Sequence, residues 1–212
     1  MNLIPASLAV ALKNATRLAI VGDSIAYGRS DPNGGWAHQL AQAHISRDEM
    51  NNRLYNLAIP GRTLAGMHQY APTEVATRKV DTVIISAGIN DLAGVEGPIT
   101  PAQLLIHLQH LCAELEDAGR RIVLFTPLWL NCIAAQECMN FSVDITEVKE
   151  YRNLLLTWAK ETNHTTFDLW PILKNQPERF TDGVHPDPVG HQLIWQALQQ
   201  SMEQSTLESK KK

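Results

Sequence analysis

Nowhere in these 212 residues is there a run of about 18 apolar side chains, the length a helix needs to cross a bilayer, so membrane insertion is not expected. Clustered basic residues are equally scarce: Lys and Arg total 18 against 22 Asp and Glu, and the only basic run is Lys210, Lys211 and Lys212. A formal charge of -4 supplies no field that would gather nucleic acid, which excludes that partner class. Cysteine is limited to Cys112, Cys132 and Cys138, an odd count without a CxxC pair. That fits a reducing compartment better than a disulfide framework, although a Cys132 to Cys138 bridge would be open to an exported protein. Residues 8–12 form an apolar patch near the start, but no charged region precedes it as in a signal peptide, so a cytoplasmic location is the expectation.

What is present is enough apolar material, 44% of residues, for one core that needs neither metal nor disulfide staples. No repeat or linker divides it. Residues 1–203 are expected to form a single domain and 204–212 a solvated, disordered tail. Short β-branched or apolar runs at 18–21, 54–58, 82–87, 122–126 and 165–169 read as buried strands. Between them, helical spacing covers 36–45, 101–118, 145–161 and 188–202. Thr100 ahead of Pro101 marks a helix start, and Gly119 marks its end. Alternating strands and helices imply a three-layer α/β/α domain with a mostly parallel five-stranded sheet. In such sheets the ligand site lies beyond the carboxyl ends of the strands.

Those strand ends carry the polar and glycine residues. Gly22-Asp23-Ser24 follows the first strand, residues 56–63 follow the second with Asn56, Pro60 and Gly61, and Gly88-Ile89-Asn90-Asp91 follows the third. Ahead of the last helix stands Asp182-Gly183-Val184-His185-Pro186. A serine hydroxyl is a poor nucleophile at neutral pH unless a base lies within hydrogen-bond reach, and the base needs a partner to fix its tautomer. Ser24, His185 and Asp182 complete that set, and the proline after His185 biases its backbone toward an extended conformation. Asp23 would put a carboxylate where a phosphate loop needs glycine, which argues against a flavodoxin-like nucleotide binder.

These blocks, in this order, resemble the SGNH or GDSL-type hydrolases, with Ser24, Gly61, Asn90 and His185 at the four name-giving positions over residues 18–198. The resemblance implies a flavodoxin-like fold, with Asp182 and His185 on one turn. It also implies an oxyanion hole made by the backbone amides of Ser24 and Gly61 and the side-chain amide of Asn90. The implied reaction is hydrolysis of a carboxylic ester through an acyl-enzyme on Ser24, with no cofactor and a small-molecule ester as partner. Two departures stand out: GDSL reads GDSI here, and the second block has Ala58 and Pro60 ahead of Gly61.

Other residues have plainer readings. Asp23 and Asp91 are assigned to structure, since free carboxylates would oppose a developing oxyanion. His107 and His110 are three apart on a helix without a third ligand, which favours exposed histidines over a metal site. Trp36 reads as core. The stretch 127–144 is long for a connection and is expected to be a flap contacting substrate, with Trp129 as its binding residue, or else a loop packed on the domain. A short acyl group, such as acetyl on a carbohydrate, is preferred over the alternatives: a lysophospholipase or thioesterase acting on longer chains, or a non-catalytic ligand-binding module on the same fold. Oligomeric state is not legible.

Overall fold

The five apolar runs become five strands in the computed structural model, which describes the backbone of residues 8–116 and 119–209 and side chains as far as residue 203. They are β1 (Arg17–Gly22), β2 (Arg53–Asn56), β3 (Thr82–Ser86), β4 (Arg121–Phe125) and β5 (Thr165–Phe167). The sheet order is β2-β1-β3-β4-β5, and all four pairings are parallel. A parallel sheet must be covered on both faces. That demand explains why β1 and β3 are almost continuously apolar, with Leu18, Ile20, Val83 and Ile84 fully buried.

The helices are α1 (Leu8–Lys13), α2 (Ser24–Tyr27), α3 (Gly35–Ser46), α4 (Leu64–His68), α5 (Ala71–Thr77), α6 (Ile89–Leu92), α7 (Pro101–Glu116), α8 (Cys132–Met139), α9 (Ile145–Glu161), α10 (Trp170–Leu173) and α11 (Pro188–Ser209). Helix α11 packs against both α1 and α3, while α4, α5 and α9 pack on α7, giving one layer on each side of the sheet. The packing is dense around Trp36, which is fully buried with its ring centroid 5.2 Å from that of Phe125. Phe125 in turn lies 5.0 Å from Phe167 across the strands. No helix among the described residues is long and apolar enough to cross a membrane.

Local chemistry sets the helix ends. The Thr100 hydroxyl accepts the Gln103 N–H at 3.3 Å, and the Gln103 side-chain oxygen accepts the Thr100 N–H at 3.0 Å, a reciprocal cap that starts α7. Asp144 caps α9 through the Thr146 N–H at 2.7 Å. One expectation is revised. The stretch 127–144 is not a bare loop, because it contains α8. The last helix, α11, runs to Ser209, and Lys210, Lys211 and Lys212 of the expected tail lie outside the described residues.

Candidate active site

The crossing from β1 into α2 leaves no room for a side chain at Gly22, where a Cβ would lie 2.6 Å from both the Ala26 Cβ and the Ser86 carbonyl oxygen. Asp23 then caps α2 by accepting the Ile25 N–H at 2.9 Å, and Ser24 becomes the first residue of that short helix. This is the carboxyl end of a central strand, where the open-sheet rule puts ligands.

The last polar block forms a closed turn. A Phe180–Pro186 bridge and the Thr181 N–H donating to the His185 carbonyl at 2.9 Å hold its two ends together. Inside, Asp182 Oδ1 accepts the backbone N–H groups of Val184 at 3.1 Å and His185 at 2.9 Å. Its Oδ2 is left for His185 Nδ1 at 2.7 Å. An ionised carboxylate only accepts, so the imidazole proton sits on Nδ1, and the Ser24 hydroxyl donates to Nε2 at 2.8 Å. Burial pushes the His185 pKa below the usual histidine value, and Arg29 acts in the same direction against the upward pull of Asp182. Burial pushes Asp182 up, but hydrogen bonds from the His185 backbone and ring carry it below the ordinary carboxylate range. The result is a neutral imidazole beside an ionised carboxylate at neutral pH.

The two other blocks meet beside Ser24's helix. Asn56 donates to the Ala26 carbonyl and accepts the Ala58 N–H, each at 3.1 Å, while the Ile59 N–H donates to the Gly22 carbonyl at 3.0 Å. These bonds anchor the second block to β1 and α2 despite Ala58 and Pro60. Gly61 has φ +79° and open space where a Cβ would project. Asn90 Nδ2 donates to the Arg62 carbonyl at 3.0 Å, which leaves its second amide hydrogen available.

Asp23 and Asp91 are both buried. Asp91 accepts the Leu64 N–H with both oxygens, at 3.0 and 3.2 Å, and so orders the start of α4. Burial raises its pKa to about 6. Asp23 is raised to about 7, chiefly by burial, with the charge of Asp91 adding to the effect. A carboxyl that ionises near 3.8 when unfolded and near 7 when folded holds an extra proton in the native state between those values. Stability therefore falls as pH rises through that interval. Asp23→Asn keeps an acceptor for Ile25 and is expected to raise the melting temperature by ~2–4 °C at pH 8, equivalent to about 1 kcal/mol, without raising it at pH 5. Calorimetry showing a loss at both pH values would refute that burden.

A feature the sequence reading missed lies behind the Asp182–His185 turn. The Asn131 N–H donates to the Gly183 carbonyl at 2.9 Å, and the Asn131 side chain caps α8 through the Ala134 N–H at 3.3 Å. Trp129, the expected substrate contact, is half-buried with its ring edge-on to Phe180 at 5.7 Å. The stretch 127–144 thus braces the turn from outside. Its only sequence signal is the glycine inside Asp182-Gly183. His107 and His110 both fall on α7, and among the described residues no three His, Cys, Asp or Glu side chains gather as a metal site.

The sequence matches the model of the GDSL-like lipase/acylhydrolase family over residues 20–193. It is similar to Esterase TesA of Pseudomonas aeruginosa, 32% identical over 111 residues, a match that spans 52% of this chain and 53% of that protein, about half of each. Among solved structures, the acetylxylan esterase Axe2 of Geobacillus stearothermophilus superposes with a TM-score of 0.71 at 22% identity, covering 91% of this chain and 96% of that one. A lipase/acylhydrolase from Enterococcus faecalis gives 0.70 at 22% identity, covering 89% and 96%. At such identities the superpositions establish the shared fold.

Proposed function

Since the chain belongs to the GDSL-like lipase/acylhydrolase family, we propose that it is a single-domain serine esterase that hydrolyses short-acyl carboxylic esters. The observation that carries this reading is the unbroken relay from Ser24 Oγ through His185 to Asp182, with hydrogen bonds of 2.8 and 2.7 Å. In this mechanism Ser24 Oγ attacks the ester carbonyl carbon while His185 Nε2 takes its proton. The oxygen that gains charge is met by the backbone N–H groups of Ser24 and Gly61 and by the free amide hydrogen of Asn90. His185 then returns the proton to the departing alcohol, and afterwards deprotonates the water that cleaves the acyl-enzyme. Asp182 holds the ring and stabilises its charged form.

Supporting a cytoplasmic setting, the thiols of Cys112, Cys132 and Cys138 are all free. The test is a p-nitrophenyl ester series from acetate to decanoate. Cleavage fastest with acetate is expected; a decanoate optimum would redirect the assignment to lipids, and no cleavage of any ester would favour a binding module.

The base must be neutral to act, so kcat/KM should fall as the medium is acidified through the His185 pKa. Because burial holds that pKa down, the acid limb is expected below the ordinary histidine value of 6.5. A pH profile whose acid limb lies above 6.5 would contradict the buried, neutral base.

A further inference from the structure

We infer that His191 is a positioning residue for the nucleophile: by holding the chain that leaves α2 against α11, it sets how far Ser24 stands from His185, a role that rests on the esterase reading and goes beyond it. The imidazole is fully buried in the first turn of α11, shortly after His185 in the chain. Its Nε2 faces the Arg29 carbonyl at 3.1 Å, so the ring proton sits on Nε2 and is donated to that oxygen. The Arg29 N–H in turn donates to the Ser24 carbonyl at 3.0 Å. A path of hydrogen bonds therefore runs from the backbone of the nucleophile to the helix that follows the base. The bond from Ser24 Oγ to His185 Nε2, 2.8 Å long, closes that path into a ring.

Core packing alone does not account for a histidine here. Nδ1 is buried with no hydrogen-bond partner among the described residues, so the ring carries a loss of solvation that a leucine of similar size would not. What the imidazole has and leucine lacks is the Nε2 donor. The chain around it is shaped to admit the ring: at Gly35, where α3 starts with φ +65°, a Cβ would lie 2.8 Å from His191 Nδ1 and 2.8 Å from the Gly28 Cα. The exit of α2, the start of α3 and the His191 ring thus meet at one point. Helix α2 needs such a hold, because it has only four residues and a single turn does not fix its own direction. Asp23 secures its start, and His191, through Arg29, secures its end.

The test compares His191→Leu and His191→Asn, which place no donor where Nε2 stands, with His191→Gln, whose longer side chain carries its amide to that point. His44→Leu is the control: His44 is also buried, and its Nε2 meets a backbone carbonyl, that of Thr16 at 3.2 Å, ahead of β1 and so at the far end of the sheet from the relay. On p-nitrophenyl acetate, leucine or asparagine at 191 is expected to lower kcat at least tenfold while KM changes less than threefold, and glutamine to bring kcat back within threefold of the wild type. His44→Leu is expected to lower the melting temperature and leave kcat unchanged. A second readout needs no turnover: the nitrogen NMR resonance of His185 Nε2, which reports the hydrogen bond from Ser24, recorded where the ring is neutral. Ser24→Ala defines the value for loss of that bond; His191→Leu and His191→Asn are expected to move toward it, and His191→Gln to keep the wild-type value. A folded His191→Leu or His191→Asn protein with wild-type kcat or an unchanged His185 resonance would overturn the assignment, as would an equal loss of kcat in His44→Leu. Glutamine no better than leucine would overturn it too, since the ring's bulk and not its bond would then matter. If the wild type cleaves no ester, the esterase reading fails, and the His185 resonance alone decides whether His191 sets the Ser24–His185 distance.

Discussion

Ser24→Ala is expected to lower kcat on p-nitrophenyl acetate by about 10⁶-fold, with a melting temperature within a degree or two of the wild type. The size follows from the cooperation of the three side chains: once the hydroxyl is gone, the imidazole and carboxylate have no nucleophile to activate, and only the oxyanion donors and substrate binding remain. The fold is spared because Ser24 contributes one small side chain at the start of a four-residue helix whose cap is supplied by Asp23. Asp182→Asn should be milder, about 10⁴-fold, because its damage is to the tautomer of His185 rather than to the attacking atom. Two bonds make it still severe: Asp182 Oδ1 organises the turn through the Val184 and His185 N–H groups, and Oδ2 fixes the ring. Stopped-flow and steady-state assays of both variants check the ranking. Ser24→Ala with wild-type activity would remove the proposed mechanism altogether.

The same residues show what was legible in sequence and why. The strands and the long helices could be read because burial on both sheet faces demands continuous apolar runs, and because α9 and α11 carry helical periods with clear starts. The residues placed around Ser24 could be read because the sheet rule sends chemistry to strand ends, where glycine and polar residues interrupt those runs. Helix α8 could not. Only Ala135 is buried along it, so it has no apolar stripe to announce it, and its purpose lies in its backbone rather than its side chains. The contact of the half-buried Trp129 ring with Phe180 was likewise hidden, because a loop aromatic does not announce its ring partners in sequence. Arg29 was equally hidden, since its charge reaches His185 only through the fold.

That hidden contact carries the second large prediction. Gly183 has φ +88°, and a Cβ there would lie 2.3 Å from the Ala135 nitrogen, 2.5 Å from the Asn131 carbonyl oxygen and 2.8 Å from the Ala134 carbonyl carbon. All three are backbone atoms of α8 or its cap, so no rotamer change relieves the overlap; either the turn or the helix must move. Asp182 and His185 flank Gly183 on that turn, and a displacement of about 1 Å at a catalytic group costs roughly 100-fold in rate. Gly183→Ala is therefore expected to lower kcat at least 100-fold while KM changes less than threefold, together with a lowered melting temperature. Gly183→Asn separates the two possible causes. Asparagine tolerates a positive φ but still carries a Cβ, so it should be as damaging as alanine if the clash with α8 dominates. Gly119 is the control, with φ +73° and nothing within 4 Å of its would-be Cβ. There, alanine should cost about 1–2 kcal/mol of stability and leave kcat unchanged, and asparagine should recover most of that loss. Recovery of kcat in Gly183→Asn would mean that backbone conformation alone, and not the α8 brace, sets the position of the Asp182–His185 turn.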